Sequence, residues 1–382
     1  MKKSLILLLF SIFLFPIRSY AGNFFITSYD FNDNDASTIA SKYDVIVTNL
    51  SKSSAVSTMK SFNPSMKAFW YRDALCYGNS YPVLDTVTGN RVHRNGWDWE
   101  LQDISNSSYR TYLANYIADY LTNHSQFDGV FLDDVLHDLY ETDFHDAVTG
   151  LQAHLPSNLT NQTNWRSYMV SLLSATKSAI GSKLAIINTN FYRTEYIAVV
   201  DGIFDEWFAH PNWDDANTWN YDGVWKDSVD HLVSVANSSK YFLAQSGVTD
   251  GATQAQIKKL VRYSFSSFLM GVPANNSFAK YYFCPSMTYS NYYWYSDWTA
   301  NLGNPTGDYF QIQGTDFYRR NFEKGIVMVN PTDQTGKVGL EKTYCNLDGQ
   351  SVSEINFSDH EGVILLNCDT IPPAPPTNLL VN

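Results

Sequence analysis

The sequence predicts an α/β fold, a (β/α)8 TIM barrel followed by a small C-terminal antiparallel β-domain, and three observations carry that expectation. Short apolar, β-branched or aromatic runs alternate with amphipathic stretches, and eight such runs fit into about 250 residues. Nearly every run ends, on its C-terminal side, in polar groups able to do chemistry. After Gly271 the texture changes to aromatic-rich loops and then to segments of period two.

In order, the predicted strands are "FFITSYD" (24–30), "YDVIVTN" (43–49), "MKAFWYRD" (66–73), "FDGVFLDD" (127–134), "KLAIINTN" (183–190), "DGIFDEWF" (201–208), "KYFLAQSG" (240–247) and "SSFLMG" (266–271). Helical patterns lie between them, among them "YRTYLANYIADYLTNH" (109–124) and "TQAQIKKLVRYSF" before the eighth run. The runs end in Tyr29, Asn49, Arg72 and Asp73, Asp133 and Asp134, Asn188 and Asn190, Asp205 and Glu206, and Gln245. In a barrel those ends open onto one face, where an active site is built. An open doubly wound sheet would also gather ligands at strand C-termini, but it commonly shows a Gly-rich phosphate turn, and none follows the first strand.

The expected organisation is a secretory signal over 1–21, a barrel over 22–309, a β-domain over 310–369 and a Pro-rich linker or tail over 370–382. Lys2 and Lys3, the apolar run Leu5 to Phe15 and the small-x-small ending Ser19-Tyr20-Ala21 have the order of an export signal. No later stretch reaches the roughly 18 apolar residues of a membrane span, so a secreted or periplasmic chain is expected. The net charge of −12 and the scattered Lys and Arg argue against nucleic acid as a partner. Four cysteines without a CxxC or a nearby His pair make zinc improbable, and no cofactor is expected. In an oxidising compartment disulfides are the default, and the expected pairs are Cys345 with Cys368 and Cys76 with Cys284.

Aromatic residues make up 15% of the chain and gather in polar loops: "GWDWE" (96–100), "HPNWDDANTWNYDGVW" (210–225) and "SNYYWYSDW" (290–298). Aromatic faces stack on the apolar faces of sugar rings, so three such loops point to a glycan-lined cleft.

Strand alternation in "GVFLDD" puts Phe131 and Asp133 on one face and Leu132 and Asp134 on the other, which makes Asp133 the expected inward acid. Glu206 in "DGIFDEWF" lies two βα units further on. One ionised and one protonated carboxyl are what glycosidic cleavage requires. Trp207 and Phe208 would raise the pKa of Glu206 by desolvation, with Asp205 as the fallback. Arg72 is expected to pair with Asp133, Trp70 to floor a sugar subsite, and Tyr29, Asp134, Asn190, Tyr192 and Gln245 to contact hydroxyls. His93, His137 and His210 read as surface loop residues. No GxSxG or HExxH motif is present.

At "FDGVFLDDV", "DGIFDEWF" and "FYRRNFEKGIVMVNPTD" (317–333) the chain resembles glycosyl-hydrolase-like family 15, within a superfamily that includes α-galactosidases and endo-α-polygalactosaminidases. The resemblance runs from about 24 to 340 and implies an exported TIM barrel with a β-rich end. It also implies a fourth-strand Asp, here Asp133, as nucleophile or stabiliser, and a sixth-strand acid that matches Glu206. The expected function is hydrolysis of a polysaccharide or oligosaccharide by two carboxylates, with a non-catalytic carbohydrate-binding barrel as the alternative.

Overall fold

The computed structural model describes residues 23–370 apart from 77, 79, 98, 190, 191, 212, 213, 220–223, 275–277, 287 and 288. The expected signal segment, Asn190 and the expected tail beyond Thr370 lie outside the described residues.

Eight parallel strands form one sheet in the order of the sequence: β1 (Phe25–Thr27), β2 (Val45–Thr48), β3 (Lys67–Asp73), β4 (Gly129–Asp133), β5 (Leu184–Asn188), β6 (Gly202–Asp205), β7 (Tyr241–Gly247) and β8 (Ala279–Cys284). A parallel bridge from Phe24 to Tyr281, with the Tyr281 N–H donating to the Asn23 carbonyl at 2.9 Å, draws the last strand against the first. Helices fill the crossovers: α1 (Ala36–Lys42), α2 (Ser53–Phe62), α3 (Ser107–Asn123), α4 (Ser157–Thr160), α5 (Gln162–Ile180), α6 (Thr194–Ile197), α7 (Val224–Asn237) and α8 (Gln254–Gly271). Asn106 and Asn161 cap α3 and α5 through their side-chain oxygens, and Thr253 with Gln256 closes a capping box on α8. Aromatic rings fill the barrel: Phe204 meets Phe25 at 5.9 Å and Phe131 at 5.1 Å, both edge-on.

Seven of the eight expected strands form where the sequence places them, and the eighth does not. "SSFLMG" is the last turn and a half of α8, and the eighth strand is "AKYYFC". The reason is burial on both sides. A second, antiparallel sheet covers the outer face of α8, so the helix end is apolar all round and loses the periodicity that marks a surface helix.

That sheet has six strands: β9 (Phe310–Gln311), β10 (Tyr318–Phe322), β11 (Gly325–Asn330), β12 (Gly336–Asn346), β13 (Ser351–Phe357) and β14 (Glu361–Leu366), in the order β9-β10-β11-β14-β12-β13. Arg320 reaches from β10 to the C-terminus of α8, donating to the carbonyls of Leu269 at 3.0 Å and Val272 at 2.8 Å. Cys345 and Cys368 form a disulfide that ties β12 to the chain just beyond β14. The expected Cys76–Cys284 pair is absent: both thiols are free, Cys76 lying in the loop three residues beyond the end of β3 and Cys284 at the end of β8, strands that are not neighbours in the sheet. Cys284 is buried and donates instead to the Ser286 carbonyl at 2.8 Å.

Candidate active site

The two strands that carry the expected acids begin alike, with Asp128-Gly129 and Asp201-Gly202. Asp128 accepts the Ala68 N–H of β3 at 2.9 Å and pairs with Lys60; Asp201 accepts the Ala185 N–H of β5 at 2.8 Å and pairs with Lys177. A Cβ on Gly129 would stand 2.0 Å from the Leu184 carbonyl oxygen, and one on Gly202 would stand 2.5 Å from Tyr241 Cβ. Only glycine lets the neighbouring strands approach so closely. Counting by twos from each glycine, Phe131 and Phe204 face the interior, and Asp133 and Glu206 follow them at the C-terminal rim.

Asn188, at the end of β5, joins these two acids. Its Nδ2 donates to Asp133 Oδ1 at 2.8 Å and to Glu206 Oε2 at 3.0 Å, which caps the separation of those oxygens at about 5.8 Å. Asp133 Oδ1 also accepts the Asp134 N–H at 2.9 Å, and Oδ2 accepts the Tyr71 hydroxyl at 2.6 Å. Glu206 Oε1 accepts the Tyr289 hydroxyl at 3.0 Å, and Tyr289 is held in turn by Gln245 Nε2 at 3.1 Å. Burial and the adjacent carboxylates push the Tyr71 and Tyr289 hydroxyls upward, so both stay protonated as donors. Desolvation, reinforced by Asp134 and Glu206, pushes Asp133 up to about 7.

Both carboxylates line a cavity of about 700 Å³ at the C-terminal ends of the strands. Of the other expected site residues, Tyr29, Asp134 and Trp207 line it as well. Asp134 has a left-handed backbone, φ 56°, and its carboxylate is ion-paired with Arg94. Gln245 stands behind Tyr289, inside the barrel. Asp205 accepts the Trp207 N–H at 3.0 Å, off the cavity wall, and burial raises it to about 7.

Three expectations are corrected. Trp70 and Arg72 do share a strand face, but it is the outer one: Trp70 stacks on Tyr120 of α3 at 4.6 Å, and the Arg72 guanidinium lies 5.8 Å from the Tyr116 ring. The inward residues of β3 are Phe69, Tyr71 and Asp73, so Tyr71 occupies the place beside Asp133 assigned to Arg72. Tyr192 lies on the flank, stacked on His231 of α7 at 4.1 Å with its hydroxyl 3.2 Å from Ser234 Oγ. Among the described residues, one of the three aromatic loops reaches the cleft. Trp97 and Trp99 line it, whereas Trp219 stacks on His360 at 4.3 Å and Trp298 packs on Phe24 at 4.8 Å.

Asn188, Tyr71, Tyr289, Arg94, His137 and Tyr140 are among the cavity residues that sequence reasoning left out of the site. Asn188 was legible as a strand end. Tyr289 immediately precedes an aromatic loop and is brought in only by the fold. His137 lies on the cavity wall 3.4 Å from Asp138, and His210 is fully buried with Nδ1 at 2.8 Å from the Gly247 carbonyl, so neither is an exposed loop residue.

Among the described residues, Asp73, Cys76 and Asp134 have potential ligand atoms within 4.8 Å of one another. Arg94 already neutralises Asp134, and Asp73 Oδ1 accepts the N–H groups of Leu75 and Cys76 at 2.7 and 2.6 Å, so the group is built as a loop anchor.

A family model described as hypothetical glycosyl hydrolase family 15 matches residues 39–326. No curated protein matches the chain. Among solved structures it is similar to the glycoside hydrolase domain of PelA from Pseudomonas aeruginosa, with 14% identity over 71% of this chain and 99% of that one and a TM-score of 0.47. The maltogenic α-amylase AmyB from Thermotoga neapolitana matches at 11% identity over 90% and 98% of the two chains, TM-score 0.48. The Flavobacterium johnsoniae dextranase FjDex31A matches at 10% identity over 91% and 51%, TM-score 0.48.

Proposed function

The chain belongs to hypothetical glycosyl hydrolase family 15, and from that premise we propose that it cleaves a polysaccharide or oligosaccharide with retention of anomeric configuration, using Asp133 as nucleophile and Glu206 as acid/base. The observation that carries the reading is the single amide of Asn188 held between the two carboxylates. A ceiling of about 5.8 Å on their nearest oxygens fits the roughly 5–5.5 Å of retaining enzymes and falls short of the roughly 6.5–9.5 Å that leaves room for water in inverting ones.

The roles follow from hydrogen-bond polarity. Asn188, Tyr71 and the Asp134 N–H all donate to Asp133, an arrangement suited to an ionised carboxylate that attacks the anomeric carbon. Glu206 gives its proton to the leaving oxygen as that bond breaks, and a glycosyl ester forms on Asp133. Glu206 then takes a proton from water, the water oxygen attacks the anomeric carbon, and the ester bond to Asp133 is released. Asn188 keeps both carboxylates in register through both steps. The Cys345–Cys368 disulfide supports an extracytoplasmic site of action.

The raised pKa of Asp133 favours a second reading, in which Asp133 is the acid and Glu206 the nucleophile. The pH profile separates the two. If Asp133 must be ionised, kcat/KM falls as pH drops through about 7; if it must be protonated, kcat/KM falls as pH rises through about 7.

The test is a hydrolysis screen on a glycan panel, with Asp133→Asn and Glu206→Gln beside the wild type and the anomer of the first product read by NMR. Retention with loss of activity in both variants is expected. An inverted product, or full activity in either variant, removes the assignment. Binding without hydrolysis in the wild type would favour the non-catalytic carbohydrate-binding alternative.

A further inference from the structure

The wall of the cavity beside β3 and β4 is an excursion from the barrel, made of a two-stranded ribbon, Val92–Arg94 paired with Phe144–Asp146, and the loops around it. It is built from one motif used twice. Asp85-Thr86-Val87-Thr88-Gly89 and Asp146-Ala147-Val148-Thr149-Gly150 form matching hairpin turns. In each, the Asp Oδ1 accepts the N–H groups two and three residues on at 2.8–2.9 Å, and the glycine has a positive φ, 75° and 69°. The ribbon presents a third turn to the mouth. Arg94 N–H donates to the Trp99 carbonyl at 2.9 Å, and Asn95 is fastened to the turn that leads into the facing strand through its N–H to Asp143 O at 2.9 Å and its Nδ2 to Thr142 O at 2.7 Å.

That turn carries Trp97 and Trp99, stacked on each other with centroids 4.8 Å apart. Trp97 and Tyr140 are each 47% exposed, and Trp207, beside Glu206, is 43% exposed; all three line the cavity that holds Asp133 and Glu206. Large aromatic side chains left in water along one rim are unsatisfied as core, while an aromatic face held on a fastened turn loses little entropy when a flat apolar ring settles on it. The cavity, about 700 Å³, matches the size of pockets that enclose drug-sized ligands and exceeds what one sugar ring fills. Its charge is one-sided. Arg94 is the one Lys or Arg among the described residues on the wall, and Asp134 already engages it; Asp138 is matched by Arg166 from behind the wall, which leaves Asp133, Asp143 and Glu206 to set a negative sign on the same space.

Building on the hydrolase reading, we propose that Trp97, Trp99 and Tyr140 form a stacking subsite for a sugar outside the cleavage point, so that the substrate is an extended chain of uncharged sugars rather than a terminal residue or a uronic-acid polymer. The subsite grips the chain by ring faces; the carboxylates at the floor act on the bond beyond it.

Binding rather than turnover tests this. Glu206→Gln protein, alone and with Trp97→Ala, Trp97→Phe or Trp99→Ala added, is titrated calorimetrically with length-graded neutral fragments of glucans, xylan and galactan, and with oligogalacturonates as the charged counterpart. Affinity is expected to rise with chain length for a neutral series. Trp97→Ala should weaken the longest fragments about tenfold, with Trp97→Phe restoring most of the loss and the shortest fragments unaffected. Long fragments bound equally by the Trp97→Ala and Trp99→Ala proteins would overturn the proposal, as would a preference for oligogalacturonates or no binding of any neutral series. The catalytic reading is judged separately by wild-type hydrolysis. Turnover that ignores both tryptophans sinks the subsite alone, and tryptophan-dependent binding without turnover sinks the catalytic reading alone.

Discussion

β4 and β6 start as the same strand and end as different chemistry. Each opens Asp-Gly, packs a phenylalanine two residues on and places an acid four residues on, at Asp133 and Glu206. The differences lie between and after. Where β4 has Leu132, β6 has the half-buried acid Asp205; where β4 continues into the left-handed Asp134, paired with Arg94 of the ribbon, β6 continues into the exposed Trp207. Asp133 therefore sits between two like charges and takes donors on both oxygens, while Glu206 meets Asn188 and Tyr289 beside an open aromatic rim. Strand geometry sets where the carboxylates stand, and the loops that meet them set how each is charged.

The most severe break in this comparison is removal of either acid. Asp133→Asn and Glu206→Gln should each lower kcat at least about 10³-fold, measured on a glycan that the wild type cleaves, and a substrate with an activated leaving group should recover more for Glu206→Gln than for Asp133→Asn. Cutting the link between the strands comes next. Asn188→Ala removes a donor from both carboxylates at once and should lower kcat about 10²-fold with little change in KM, read by steady-state kinetics.

The charge difference is sharpened by pH. Because Asp133 is raised to about 7 above the ordinary carboxylate value near 4, ionising it costs stability progressively through that window and fully above it. Asp133→Asn should therefore raise Tm by a few degrees at pH 8 and leave it unchanged at pH 4, as followed by calorimetry. The smallest effect on activity belongs to the outer face. Arg72→Gln should leave kcat/KM within about twofold, since the guanidinium packs on Tyr116 of α3; a loss of tenfold or more would restore the pairing with Asp133 that strand-end chemistry suggested.

Much of this arrangement is legible in the sequence. The alternation in "GVFLDD" named Asp133 as the inward acid because side chains on a strand switch faces at every residue. The same rule put Trp70 and Arg72 on a common face, yet it gives no absolute direction, and without an anchor on β3 the outer face was taken for the inner. "SSFLMG" misled for a related reason. A helix buried on both sides loses its polar stripe, and what remains is a short apolar run indistinguishable from a strand. The aromatic loops misled in number: "GWDWE" faces the cleft, while Trp219 and Trp298 are consumed by packing against His360 and Phe24.

By itself the sequence determined the alternation of strand and helix and the strands that end in acids, because each rests on local periodicity; of the two cysteine pairs it suggested, the fold forms Cys345–Cys368 and leaves Cys76 and Cys284 free. Tertiary structure alone decided that Asn188 bridges the two carboxylates, that Tyr71 and Tyr289 donate to them and that Arg94 reaches in from the ribbon. Those contacts join residues 18 to 83 positions apart, some from strands and some from loops, and which side chains meet over the barrel mouth depends on how the closing sheet and its excursions bring them together.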